Sequence, residues 1–145
     1  MSELLERING LELLDIITVG YCENVDGILS YKPWLDSIYL KFKDFYLLIK
    51  TSHHDLFCTI KRVSKVKLEV EIEEEDSLCF SSIYDLVILD SVSDHIINSY
   101  DLLSPEITSH AGITCMGLYI KTDLQTLFFD PSTISGIKIR TVSVE

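Results

Sequence analysis

Between Leu68 and Ile120 the sequence holds eleven carboxylates and no lysine or arginine, and this segregated charge is the clearest chemical signal in the chain. The acids are Glu69, Glu71, Glu73, Glu74, Glu75, Asp76, Asp85, Asp90, Asp94, Asp101 and Glu106. Outside that window twelve acids face twelve bases, so the window carries the whole formal charge of −11. Carboxylates gathered in this way attract a cationic partner and accept paired hydrogen bonds from its arginines. On that reading Glu69, Glu71, Glu73, Glu74, Glu75, Asp76, Asp85 and Asp94 are the candidate partner-binding residues, and the partner is a basic protein. The plainer alternative is a solvated face that keeps a sheet edge from pairing with other chains. Such a face normally interleaves its signs, and this window does not.

Catalytic chemistry has less to stand on. Paired carboxylates act as acid and base when burial raises the pKa of one of them. Asp85, Asp90 and Asp130, flanked by apolar residues, are the candidates, although turn-forming and capping roles explain each equally well. His53-His54-Asp55 has ligand chemistry, but neighbours on an extended chain point to opposite sides, so the two imidazoles would not share one ion. His95 and His110 are isolated, with no nucleophile at a recognisable spacing. Cys22, Cys58, Cys79 and Cys115 include no pair at the close spacing of a zinc or redox motif. Three of them, Cys58, Cys79 and Cys115, lie among apolar neighbours, which points to packing as small hydrophobes. No phosphate-binding or nucleophile-elbow motif is present, and six glycines leave little for a phosphate cradle. The acidic charge argues against nucleic acid, whose phosphates require a basic patch. The expectation is a protein with no catalysis, cofactor or metal.

The elements that would carry these residues read as one α+β domain over residues 1–145, a predominantly antiparallel sheet of about seven strands with one or two short helices. Ser2 is placed to cap a short helix with Leu4, Leu5 and Ile8 on its apolar face and Gly10 at its end. A first strand follows from Leu11 to about Tyr21, and Asn24, Asp26-Gly27 and Lys32-Pro33 mark a loop. Trp34, Tyr31 and Tyr39 form an aromatic cluster there, either an interface anchor or a plug over the end of the sheet. Ile38, Leu40 and Phe42 alternate with polar partners, Asp44 breaks the run, and Phe45 to Lys50 continues, which is the writing of a hairpin. A further strand is expected over Phe57 to Arg62. Val66, Leu68, Val70 and Ile72 alternate with Lys67, Glu69, Glu71 and Glu73, so that strand has one aliphatic and one acidic face. Leu86 to Leu89 fits a buried strand and Asp94 to Leu103 a helical turn or two. Strands from Ile113 to Lys121, Leu124 to Phe129 and Ile137 to Val142 close the chain.

Length and composition agree with a packed domain. At 145 residues and 47% hydrophobic, with a mean hydropathy of +0.24, the chain has material for a core and is not a disordered acidic tail. No apolar run approaches the roughly 20 residues of a membrane-spanning helix. The first residues lack the pattern of a signal peptide, so a cytoplasmic location is expected.

Two segments, Asp36 to Ile49 and Gly112 to Phe129, carry an early Ile-x-Leu-x-Phe-x-Asp hairpin and a late Gly-led hairpin. This layout resembles small acidic α+β proteins of bacteria that include the immunity proteins of toxin systems. The resemblance is confined to these two segments, and Phe45 stands where such hairpins commonly have glycine. It implies a stoichiometric inhibitor of a toxin domain. The alternatives are a secretion chaperone, which would need stronger helical patterning, and a small enzyme using carboxylates or His110.

Overall fold

The computed structural model describes residues 8–51, 56–66, 77–88, 94–107, 112–133 and 136–143, with backbone alone at 21–25, 29, 31–35, 77–80, 85–86, 107, 133 and 142–143. Those residues form an all-β protein, which corrects the α+β expectation. The strands are β1 (Asp15–Val25), β2 (Ile28–Lys41), β3 (Tyr46–Thr51), β4 (Cys58–Val63), β5 (Ser77–Ser82), β6 (Ile97–Leu103), β7 (Glu106–Ile107), β8 (Ile113–Cys115), β9 (Gly117–Thr122), β10 (Gln125–Thr133) and β11 (Gly136–Ser143). A first sheet has the order β5-β1-β2-β3-β4-β8-β7 and a second the order β11-β10-β9-β6. Every pairing is antiparallel. The helical content of the described residues is one turn, Tyr84–Val87, which takes up the start of the Leu86 to Leu89 segment expected as a buried strand. It is held from above by Gln125, whose amide donates to the Val87 carbonyl at 3.0 Å. The N-terminal helix expected after Ser2 falls on residues outside the description, apart from its end, where Gly10 takes φ +85.

The helical reading of Asp94 to Leu103 fails for a definite reason. That segment is β6, and its register slips between Ile97 and Ser99, leaving Asn98 as an extra residue opposite β9. A bulge of this kind resets the parity of a strand. Ile97 and Tyr100, three apart, both pack on the core, a spacing that an unbroken strand would not give and that imitates a helix.

The loop expected over Asn24 to Pro33 is also strand. β1 and β2 pair out to Val25 and Ile28 across Asp26-Gly27, both at positive φ (53 and 81), the conformation of a type I′ hairpin turn. β3 pairs only with the Ser37–Lys41 end of β2, so Pro33 faces no donor-requiring neighbour on that side. The second hairpin is where the alternation placed it, with Lys41 opposite Tyr46. Its turn uses packing in place of glycine. Phe45 stacks on Phe42 with centroids 5.0 Å apart, and the Arg62 guanidinium sits 4.2 Å above the Phe45 ring.

The two sheets share one core. Ile38 and Leu40 of β2, Leu47 and Ile49 of β3, and Ile60 of β4 meet Leu118 and Ile120 of β9, Leu127 and Phe129 of β10, and Ile137 of β11, all buried. Two neighbouring stretches of chain turn the corner between sheets. The run expected as one strand from Ile113 to Lys121 breaks at Met116 into β8 and β9, and β6 passes into β7 through Ser104, at φ +47, and Pro105. The Met116 amide donates to the Leu103 carbonyl at 2.7 Å, keeping the ladder intact through the bend. The other face of the first sheet is also covered: Ile17, Val19 and Tyr39 are buried there against Tyr46, Leu48, Val63 and Val66. Val66 opens the aliphatic–acidic alternation, so its first apolar member lies on that back face; Leu68 to Ile72 fall outside the described residues.

Leu47 is fully buried in the shared core and Lys61 is exposed one strand away. Leu47→Ala is expected to lower the unfolding free energy by roughly 2–5 kcal/mol, through lost transfer energy and the cavity left behind. Lys61→Ala is expected to stay within about 0.5 kcal/mol of the parent. Urea titration followed by far-UV circular dichroism measures both.

Candidate functional site: the rim shared by the two sheets

Of the candidate partner-binding residues, Glu69, Glu71, Glu73, Glu74, Glu75 and Asp76 lie outside the described residues, as do Asp90, His53, His54, Asp55 and His110. Asp85 is placed by its backbone on the helical turn. Asp94 is exposed at the entry to β6, Asp101 is exposed within β6, and Glu106 is exposed on β7. Asp101 and Glu106 were counted in the acidic window but not chosen as contacts. The topology groups all three. β6 ends the second sheet and β7 ends the first, so residues 94–107 form a rim carrying three carboxylates and no lysine or arginine.

An edge strand presents backbone groups with no strand beside them, and this one is partly screened. The Asp101 carboxylate folds back to accept the Leu102 amide at 3.0 Å. At the start of the rim, Gly10 donates to the Ile97 carbonyl at 2.8 Å and Ile97 to Leu11 at 2.9 Å, so the segment before β1 covers that end. Among the described residues no strand other than β9 pairs with β6 beyond Asn98, which leaves that stretch as the place for a partner strand.

Beside the rim the outward face of the second sheet holds an aromatic platform. Register sets Arg140, Phe128, Tyr119 and Asp101 in one row across β11, β10, β9 and β6, and Thr126, Lys121 and Ser99 in the next. The Tyr119 and Phe128 rings stack with centroids 4.3 Å apart and planes 15° apart. Gly117 makes room for them: a Cβ there would fall 2.5 Å from Phe128 Cε1. An open cavity of about 240 Å³ lies against this platform, lined by Ser99, Tyr100, Asp101, Tyr119, Lys121 and Thr126. Ligand pockets usually start near 300 Å³, so this one suits an inserted side chain better than a cofactor. The signal for it was in the alternation of Tyr119 with Lys121 and of Thr126 with Phe128, which strand pairing was needed to combine.

One cluster has the composition of acid–base chemistry. Desolvation, and then the charge of Asp94 and a hydrogen bond with it, raise the Glu12 carboxyl above its ordinary range, while His95 opposes the shift. His95 is buried and meets the Tyr84 ring edge-on at 6.1 Å. These groups sit on a clasp, because Glu12 and Ile96 are bridged and Leu13 donates to the His95 carbonyl at 2.9 Å. Asp94 is exposed, so water reaches the pair. The Asp94 charge disfavours ionisation of Glu12, and protonation of Glu12 removes that repulsion. Among the described residues no three His, Cys, Asp or Glu side chains are placed to hold a metal, and no helix is long and apolar enough to cross a membrane.

Asp130, expected as a partly buried acid, is buried on β10. Burial pushes its carboxyl up, but the Ser132 hydroxyl (2.5 Å) and amide (2.9 Å), with Arg140 at 3.3 Å and Lys138, hold it below the usual carboxylate range. A depressed folded-state pKa contributes stability above the unfolded value of about 3.9 that is lost as pH falls through the folded one. Asp130→Asn is therefore expected to cost roughly 1–3 kcal/mol at neutral pH, the gap closing below about pH 4. Glu12 has the opposite sign: its raised pKa favours folding while the group is protonated, and that advantage disappears as pH rises through the folded value. Glu12→Gln is expected to be more stable than the parent at neutral pH and to match it in acid. Denaturation midpoints of the parent and both variants across an acid-to-neutral series measure these differences.

Comparison of the chain with protein-family models, with curated proteins and with solved structures returns no match in any of the three.

Proposed function

We propose that this chain is a non-catalytic binding protein of the immunity type, which neutralises a basic toxin domain by occupying it through an acidic surface. The observation that carries the reading is the rim: three exposed carboxylates on the segment that holds β6 and β7, the end strands of the two sheets, inside a 53-residue stretch without lysine or arginine. Opposite charge would bring a cationic partner in quickly, since electrostatic steering raises association rates by roughly 10- to 1,000-fold. At contact, Asp94, Asp101 and Glu106 would accept hydrogen bonds from arginine or lysine, with Glu69, Glu71, Glu73, Glu74, Glu75, Asp76 and Asp85 as further contacts. The cavity beside Tyr119 gives an anchoring side chain of the partner a place to insert.

The test is functional neutralisation. The chain is co-expressed with each basic protein domain encoded by the neighbouring genes that arrests growth when expressed alone, and cell growth is scored; absence of protection against every such domain counts against the reading. Two charge reversals are compared with the parent, Glu73, Glu74, Glu75 and Asp76 to lysine and Asp94, Asp101 and Glu106 to lysine. At least one set is expected to abolish protection while the far-UV spectrum stays that of the parent. In a purified pair, the association rate is expected to fall about 10-fold or more from low to physiological salt. Full protection by both reversed variants would return these carboxylates to the role of a solvated edge.

A further inference from the structure

Two cysteines far apart in sequence come together inside the first sheet. Cys58 of β4 and Cys115 of β8 are opposite one another in register, both buried, with sulfurs 3.7 Å apart. Directly opposed residues of an antiparallel pair have Cα atoms about 4.5–5.5 Å apart, within the roughly 4.4–6.8 Å that a disulfide requires. The backbone therefore already has the separation of the bridged form, and the sulfurs need only rotate and approach. Packing as small hydrophobes accounts for their burial but not for two thiols meeting face to face.

We propose that Cys58 and Cys115 form a dithiol site that a low-molecular-weight disulfide, such as oxidised glutathione, converts to an internal disulfide joining β4 to β8. The proposal stands apart from the binding role above.

The two sulfurs are not equivalent. A hydrogen bond from Cys58 lowers the Cys115 pKa, burial opposes this, and the Gly117 amide adds to the lowering; the same contact and burial push Cys58 up. Cys115 is accordingly the attacking thiolate. It displaces one glutathione thiolate from the oxidant and becomes the mixed disulfide. Cys58 then gives up its proton to the departing thiolate, attacks the Cys115 sulfur and expels the second glutathione. Two protein thiols are oxidised by two electrons, and one oxidised glutathione becomes two reduced molecules. Access requires local opening. β8 has three residues and only the two-residue β7 beyond it, so this corner is the part of the sheet with the shortest ladders to break.

The experiment uses the full chain with Cys22→Ser and Cys79→Ser, leaving this pair as the only cysteines. It is incubated with oxidised glutathione at room temperature and again near its thermal midpoint, then cooled, so that burial cannot hide the thiols. Expected are loss of both titratable thiols in denaturant, an intact mass lower by two hydrogens, and linked proteolytic fragments containing 58 and 115. The thermal midpoint should rise on the order of 10 °C and fall back with a reducing thiol, because the bridge closes a long loop. Two free thiols after both incubations, or a persistent glutathione adduct on one cysteine, overturns the proposal. The same holds for a bridged chain whose strand spectrum is lost, since the native register would then not be the source of the bond.

Discussion

The two antiparallel sheets enclose one core, and at one corner the chain passes between them while its backbone hydrogen bonds continue through the bend. Here two adjacent stretches make that passage together, β6 into β7 and β8 into β9, and the Met116 amide to Leu103 carbonyl bond of 2.7 Å is the point at which they remain paired. Both residues are exposed, so this bond contributes by holding the two stretches in register through the bend. Ser104 at φ +47 and Pro105 absorb the turn on one stretch, and Met116 on the other. Ile113 and Cys115 then face the core from one sheet and Leu118 and Ile120 from the other.

The same geometry makes the rim. Among the described residues β6 and β7 are end strands of their sheets, and the bend places one after the other along the same rim. Long edges invite pairing with other chains, and natural sheets protect them with charge. Asp94, Asp101 and Glu106 provide it, and Asp101 also occupies the Leu102 amide directly. Edge protection and the proposed docking of a cationic partner would use the same carboxylates. The proposal rests on the absence of lysine and arginine from the surrounding sequence, together with a cavity beside β6 where an anchoring side chain would fit.

Much of the strand content was legible in the residues. The hairpin of β2 and β3 and the late strands β9 to β11 lie close to where alternation placed them, since period two with a polar break admits few other structures. The errors have local causes. The β6 bulge gave Ile97 and Tyr100 a helical spacing, and the Asp26-Gly27 turn was read as part of a loop although both residues favour the positive φ of a hairpin. The site was less legible. Tyr119, Lys121, Thr126 and Ser99 come from three strands, and Cys58 meets Cys115 across 57 positions, so neither grouping exists in any window of sequence.

The sequence by itself determined that the chain would be rich in antiparallel strands and that its negative charge would concentrate in one stretch, because alternation and composition are properties of neighbouring residues. Only the tertiary structure decided that the protein is all-β, that part of the acidic stretch supplies end strands of both sheets, and that two of four cysteines oppose each other. Those outcomes depend on which strands pair and in what register, and a change of register by one residue reverses the faces of a strand without altering its composition.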